Sequence, residues 1–159
     1  MSAAPPPGRP KAAHAPSGGS EPRAAGSVGA PSFWPYPRWI AHRGAGKLAP
    51  ENTLAAFRLG AQHGYRMFEC DAKLSADGVP FLLHDATLER TTNGRGTAGE
   101  LPLGTLARLD AGSWHSRAYA GEAVPTLEAL ARFCIANGHH LNIEIKPTPG
   151  HEDRTGRVV

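Results

Sequence analysis

Two segments far apart in the chain carry a polar residue at every second position. Their polar members are Glu69, Asp71 and Lys73 in residues 67–74, and Asn142, Glu144 and Lys146 in residues 141–146. A period of two is the signature of a strand, so each segment places its charges on one face. A helical pattern between them indicates βα units and a parallel sheet covered on both faces, where buried carboxylates need a counter-charge. The pattern predicts a metal and anion site; the alternative is a polar face that meets water, as in an antiparallel sheet.

Further reactive side chains fall where predicted strands end. His42 and Arg43 close a predicted strand at 39–44, His84 closes a hairpin strand, and Lys146 ends the last strand. In parallel β/α folds, reactive groups gather at the carboxyl ends of the strands. Carboxylates without cysteine or a close histidine pair favour Mg²⁺ or Ca²⁺ over zinc. Arg43 and Lys146 can hold a phosphate, and two histidines can accept and donate protons near neutral pH, so the set suits metal-assisted hydrolysis of a phosphodiester.

These groups must be positioned by an alternation of strands and helices. The predicted elements are a strand at 39–44, a helix at 53–63 with Asn52 as N-cap, a strand at 67–74, an edge strand at 79–85 after the Asp77-Gly78 turn, a helix between Thr126 and Gly138, and a strand at 141–146. Pro80 restricts the hairpin strand to an edge. The 41 residues at 85–125 contain only one weak helical patch, at 103–109, and are too long for a plain connection. We therefore expect a functional insertion or lid there.

Composition narrows the class of protein. Residues 1–32 hold seven prolines and five glycines without an apolar run, which predicts a disordered tail, and +2 of the chain's net charge of +3 falls in it. The remainder has no basic stripe, so nucleic-acid binding is not expected. Without a signal-peptide core or a membrane span, a cytoplasmic location is the default. Cys70 and Cys134 are expected to be buried hydrophobes rather than a disulfide or metal pair.

Six motifs, in order, carry a family resemblance. They are His42-Arg43-Gly44, Pro50-Glu51-Asn52-Thr53, Glu69-Cys70-Asp71, Leu83-His84-Asp85, Arg90-Thr91-Thr92-Asn93-Gly94 and Glu144-Ile145-Lys146. With them the chain resembles the glycerophosphodiester phosphodiesterase family over residues 34–159, and its lead-in is similar to the cytoplasmic bacterial type.

The resemblance implies a fold, a site and a reaction. The fold is an α/β TIM (β/α)₈ barrel of the phospholipase C-like phosphodiesterase type, with 85–125 as the insertion capping its active face. The implied site residues are Glu69, Asp71 and Glu144 on a divalent cation, His42 and His84 as the acid–base pair, and Arg43 and Lys146 on the substrate phosphate. Mg²⁺ is favoured over Ca²⁺. The implied substrates are glycerophosphodiesters, hydrolysed to sn-glycerol 3-phosphate and an alcohol. Two roles stay open. Glu51 and Asn52 either form a capping pair that shapes the loop after His42 or contact the metal directly, and Lys73 either neutralises a carboxylate or binds substrate.

The chain is shorter than the implied fold requires. Residues 33–159 number 127, whereas a (β/α)₈ barrel takes about 250, and only three barrel strands can be counted. We expect the chain to be the N-terminal part of the enzyme, inactive and poorly folded without the remaining strands. The alternatives are an inactive barrel fragment that acts at most as a binding module, and a phospholipase D-like phosphodiesterase. Phospholipase D-like toxins of this fold are secreted and disulfide-bonded, unlike this chain.

Overall fold

The computed structural model describes residues 34–159, and the tail predicted at residues 1–32 lies outside them. The helices and strands, in chain order, are α1 (Leu54–Gln62), β1 (Met67–Leu74), β2 (Pro80–Leu82), α2 (Leu103–Leu106), α3 (Leu127–Asn137), β3 (His140–Ile145) and α4 (Glu152–Val158). Short 3₁₀ helices lie at Ala98–Glu100 and Arg117–Tyr119, inside the predicted insertion. None of the helices in the described part is long and apolar enough to cross a membrane.

The three strands form one mixed sheet with β1 in its centre. β3 runs parallel to β1 and β2 antiparallel to it, as the βα and hairpin patterns predicted. The hairpin turn is closed by the Ser75 N–H, which donates to the Val79 carbonyl at 3.1 Å, and Pro80 opens the short β2. The parallel register places Asp71 opposite Glu144. The alternation of the two strands therefore brings their carboxylates side by side.

The prediction of a strand at 39–44 is wrong except at Ala41. Ala41 alone forms a parallel bridge to Phe68: its N–H donates to the Met67 carbonyl and its carbonyl accepts from the Glu69 N–H, both at 3.0 Å. Extended backbone cannot continue, because Arg43 has a φ of 51°, in the left-handed region that non-glycine residues seldom occupy. The turn that starts at His42 nevertheless begins next to β1, as the sequence predicted.

Helix α1 starts one residue later than predicted. Its N-cap is Thr53, whose hydroxyl accepts from the Ala56 N–H at 3.3 Å; Asn52 was the wrong candidate because its side chain is used elsewhere. Helix α3 follows the prediction. The Thr126 hydroxyl caps it by accepting from the Ala129 N–H at 3.1 Å, and Gly138 ends it with a left-handed φ of 64°.

Two buried clusters hold these elements in place. The first joins the apolar face of β1 to α1 and α3; its fully or nearly fully buried members are Ala41, Phe57, Phe68, Cys70, Leu82, Leu130 and Cys134. The second packs residues of the segment at 85–125 against the hairpin strand and consists of Phe81, Leu83, Leu88, Ala98, Leu106, Ala111 and Val124. Both cysteines are free and buried, as predicted, and burial raises the pKa of the Cys70 thiol to about 12.

Strand β3 is not covered in the way that β1 is. All eight residues of β1 are buried, whereas five of the six in β3 are exposed. Ile143 is 37% and Ile145 43% exposed, although the alternation assigns both to the face that should pack on helices. The prediction of a sheet covered on both faces is thus correct for β1 and wrong for β3.

Candidate active site

Three carboxylates meet across the β1–β3 pair. Glu69, Asp71 and Glu144 each offer an oxygen, and these oxygens lie within 4.8 Å of one another. Asp71 is fully buried, Glu69 is 8% exposed and Lys73, on the same face of β1, is 2% exposed. The water-facing alternative is therefore wrong for β1, while Glu144 on β3 is exposed. The three predicted metal ligands come together.

The donor set fits a divalent cation. Within residues 34–159, Glu69 Oε1 and Asp71 Oδ1 are buried and accept no hydrogen bond. Burial raises the pKa of Glu69, and the neighbouring Asp71 charge raises it further against the opposing Arg43 N–H. Two buried oxygens without donors, close to a third carboxylate, make the hard oxygen ligation that Mg²⁺ and Ca²⁺ take. A cation there would offset the repulsion within the group.

A loop residue that the sequence analysis missed holds Asp71. Asn52 Nδ2 donates to Asp71 Oδ2 at 2.8 Å, and the Asp71 N–H donates to Asn52 Oδ1 at 3.1 Å. This double contact needs Asn52 in its left-handed conformation, with φ 59°, which asparagine tolerates better than most residues. The roles that the sequence indicates for Asn52, a cap that shapes the loop after His42 or a metal contact, do not include this contact with Asp71.

The two predicted phosphate ligands hold carboxylates in this structure. Arg43 Nη1 donates to Glu51 Oε1 at 2.9 Å, its Nε lies 3.1 Å from Asp71 Oδ2, and its backbone N–H donates to Glu69 Oε2 at 2.9 Å. Glu51 is thus an ion-pair partner, and the group of metal-competent oxygens among the described residues does not include it. The left-handed φ of Arg43 gives this one residue access to three carboxylates.

Lys146 is fixed by both its backbone and its side chain. Its N–H donates to the Ala72 carbonyl at 2.8 Å and its Nζ donates to Glu144. The buried Lys73 Nζ donates to the Lys146 carbonyl at 2.8 Å, and burial lowers the pKa of Lys73. Lys73 therefore ties the end of β3 to β1, a contact that neither of its two sequence-based roles included.

The two predicted catalytic histidines lie near different carboxylates. His42 Nε2 is 3.9 Å from Glu69 Oε2, with its side chain 65% exposed. His84 Nδ1 is 2.7 Å from Asp85 Oδ1. The Lys146 hydrogen bond is the main cause that lowers the pKa of Glu144, and His84 also contributes, which places His84 near the third carboxylate. One imidazole therefore lies beside Glu69 and the other near Glu144.

The insertion reaches the loop that follows His42. His115 Nε2 lies 3.1 Å from the Lys47 carbonyl, and the Tyr119 hydroxyl donates to the Leu48 carbonyl at 3.5 Å. Trp114 packs edge-on against His115, with ring centroids 5.6 Å apart. These contacts give the insertion a fixed attachment to a loop of the site.

The amino-acid sequence matches a known protein family. The sequence model of the Glycerophosphoryl diester phosphodiesterase family matches residues 42–159. The chain belongs to this family. Its match extends from His42 to the last residue, so every predicted site residue lies within it.

Similar proteins show how much of a typical family member this chain covers. A glycerophosphodiester phosphodiesterase of Caldanaerobacter subterraneus is 40% identical over 124 residues, which are 76% of this chain and 51% of that protein. A phosphodiesterase of Oleispira antarctica, solved in complex with the product sn-glycerol 3-phosphate, superposes with a TM-score of 0.74 and 44% identity over 77% of this chain and half of that one. A glycerophosphodiester phosphodiesterase of Agrobacterium tumefaciens gives a TM-score of 0.65 and 39% identity, over 74% of this chain and 51% of that one.

The chain thus spans about half the length of the relatives it matches. The prediction of a partial barrel is confirmed. The described residues have part of the glycerophosphoryl diester phosphodiesterase barrel fold, and their three strands form an open mixed sheet.

Proposed function

We propose that these residues form the metal, phosphate and proton-transfer centre of a glycerophosphodiester phosphodiesterase, which hydrolyses glycerophosphodiesters to sn-glycerol 3-phosphate and an alcohol. The observation that carries the proposal is the group of Glu69, Asp71 and Glu144 oxygens within 4.8 Å, two of them on buried residues, beside the guanidinium of Arg43. The product bound to the Oleispira antarctica relative supports the substrate class.

Glu69, Asp71 and Glu144 would hold the divalent cation, with Mg²⁺ favoured over Ca²⁺. When bound, the cation supplies Lewis-acid stabilisation of the negative charge on the phosphoryl oxygens. Arg43 and Lys146 would bind the same phosphate, and each must exchange a present carboxylate contact for it. Arginine suits this role because its planar fork can hold two oxygens at once.

His42 and His84 would share the two proton transfers. One removes the proton from the glycerol hydroxyl next to the ester, whose oxygen then attacks phosphorus; the other gives a proton to the departing alcohol oxygen. Water then opens the resulting cyclic phosphate with the two roles reversed, so protons balance over the cycle. Histidine is suited to both roles near neutral pH.

The incomplete coverage of the relatives favours a second candidate for the chain by itself. With β3 exposed and half of the relatives' length unmatched, the 159 residues alone would bind a cation or phosphate without turnover. Both candidates use the same residues and differ only in whether the site is held rigidly enough to react. The cytoplasmic location stays a prediction.

The deciding experiment compares the chain with a version continued through the C-terminal half of the Caldanaerobacter subterraneus relative. Each is freed of metal and assayed with glycerophosphocholine, and sn-glycerol 3-phosphate is measured before and after addition of Mg²⁺ or Ca²⁺. We expect metal-dependent hydrolysis by the continued chain and its loss in Glu144→Gln, with Glu128→Gln on the exposed face of α3 as the matched control. Hydrolysis that survives chelation would refute the metal assignment, and no hydrolysis under any condition would refute the function.

A further inference from the structure

Arg90, at the start of the insertion, joins two carboxylates. Its Nε donates to Asp85 Oδ2 at 2.6 Å and its Nη2 to Asp85 Oδ1 at 3.0 Å. Its Nη1 and Nη2 also donate to Glu51 Oε2 and Oε1, at 2.9 and 2.8 Å. Hydrogen bonds to Glu51 and Asp85 raise the pKa of Arg90. An exposed ion pair usually contributes little, but a double bidentate fork within a network is the exception.

On one side of Arg90 the network reaches a proposed catalytic histidine. Two hydrogen bonds from Arg90 fix the orientation of the Asp85 carboxylate and are the main reason that its pKa lies well below its usual range. An ionised carboxylate can only accept hydrogen bonds. Asp85 Oδ1 lies 2.7 Å from His84 Nδ1. Nδ1 must therefore carry the proton in this contact, which leaves Nε2 as the nitrogen of His84 that can exchange a proton with substrate.

On the other side the network reaches the proposed phosphate ligand. Glu51 Oε1 accepts from Arg43 Nη1 at 2.9 Å as well as from Arg90. Burial alone would raise the pKa of Glu51, but the hydrogen bonds and charges of Arg90 and Arg43 lower it, so Glu51 is held ionised between two guanidinium groups. Arg43 in turn pairs with Asp71. Glu51 can hold Arg43 toward the carboxylates only while Glu51 itself is fixed.

We infer that Arg90 is a positioning residue that fixes the tautomer of His84 through Asp85 and the orientation of Arg43 through Glu51. The inference rests on the proposed function, since it gives those two residues their purpose. One guanidinium thereby couples the proton-transfer group to the phosphate ligand. A lysine could not replace it, because a single ammonium cannot present two forks to two carboxylates.

The test reads the His84 tautomer directly, so that it needs no turnover. The ¹⁵N-labelled continued chain is compared with its Arg90→Met variant, and with Arg95→Met as control, by long-range ¹H–¹⁵N NMR at pH about 8; His84→Gln assigns the signals. We expect the wild type and Arg95→Met to show the Nδ1–H form. In Arg90→Met the ratio of Nδ1–H to Nε2–H should fall at least threefold. A His84 spectrum that Arg90→Met leaves unchanged, or a wild type in the Nε2–H form, would overturn the inference.

Folding and function are separated by two further measurements. Should Arg90→Met lack a dispersed spectrum, Arg90→Lys is read in the same way: its ratio should also fall, and an unchanged ratio in a folded Arg90→Lys overturns the inference. In the continued, active chain, Arg90→Met should lower kcat at least tenfold and Arg95→Met should not. A tautomer change in a chain that never hydrolyses substrate would contradict the proposed function while leaving the role of Arg90 intact.

Discussion

Glu69→Gln should change protein stability in opposite directions with and without metal. Without metal, Glu69 is a nearly buried carboxylate that shares a 4.8 Å group of oxygens with Asp71 and Glu144, and one of its oxygens has no donor among the described residues. Glutamine keeps an oxygen to accept from the Arg43 N–H, which now donates to Glu69 Oε2 at 2.9 Å, and removes the charge. The metal-free variant should therefore be more stable than the wild type.

The gain in stability can be estimated from the distance between the carboxylate oxygens. Two unit charges 4.8 Å apart repel by about 3.5 kcal/mol at an effective dielectric of about 20, and by about 0.9 kcal/mol in bulk water. The Arg43 N–H and the His42 ring offset part of this repulsion. We therefore expect the metal-free variant to gain about 1 kcal/mol in free energy of unfolding, which is a rise in Tm of about 4 °C for a domain of this size. With metal at 100 times its Kd, the wild type gains about 2.7 kcal/mol and the variant little. The order of stability then reverses.

The assay is thermal unfolding of the wild type, Glu69→Gln and the exposed control Glu100→Gln, in chelator and in Mg²⁺. The pH dependence has a defined sign. The folded pKa of Glu69 is raised, so the stability advantage of the variant in chelator is full above that pKa and disappears as the pH falls through it toward 4.5 and below. Equal metal-induced shifts in wild type and Glu69→Gln, or a loss of stability of the variant in chelator, would refute the assignment of Glu69.

Four further substitutions test other parts of the structure. In the continued chain, His42→Ala and His84→Ala should each lower kcat about 100-fold or more with little change in Tm, and near-normal turnover would make that histidine structural. Gly60→Ala should cost about 1–3 kcal/mol in denaturant unfolding, because its Cβ would lie 2.2 Å from the Gly44 carbonyl oxygen; an unchanged midpoint would contradict this packing. Ile145→Lys should reduce self-association of the 159-residue chain in light scattering without lowering Tm, since Ile145 is 43% exposed; a clear loss of stability would mean that another part of the chain covers β3.

The sequence predicted which residues share a face better than which loop covers that face. The alternation in 67–74 and 141–146 was enough to place Glu69, Asp71 and Glu144 together, because a strand has a fixed period and a parallel pair a fixed register. Contacts made by loops have no such period. The Arg90–Glu51 ion pair joins residues 39 positions apart, and no local pattern encodes it. The same reason explains the missed contact between Asn52 and Asp71.

The two strands of the site differ in how firmly they are held, and this difference decides what the chain needs in order to react. Glu69 and Asp71 sit on a strand that is buried along its whole length. Asn52 donates to Asp71, and Arg43 donates its backbone N–H to Glu69 and forms an ion pair with Asp71. Glu144 sits on a strand that is mostly exposed, paired along one edge to β1. A cation held by all three would therefore draw two ligands from a buried strand and one from an exposed strand that is held along one edge only. Because catalytic groups must be held to within about 0.5 Å, we expect that hydrolysis would require β3 to be covered so that Glu144 is held as firmly as Glu69 and Asp71.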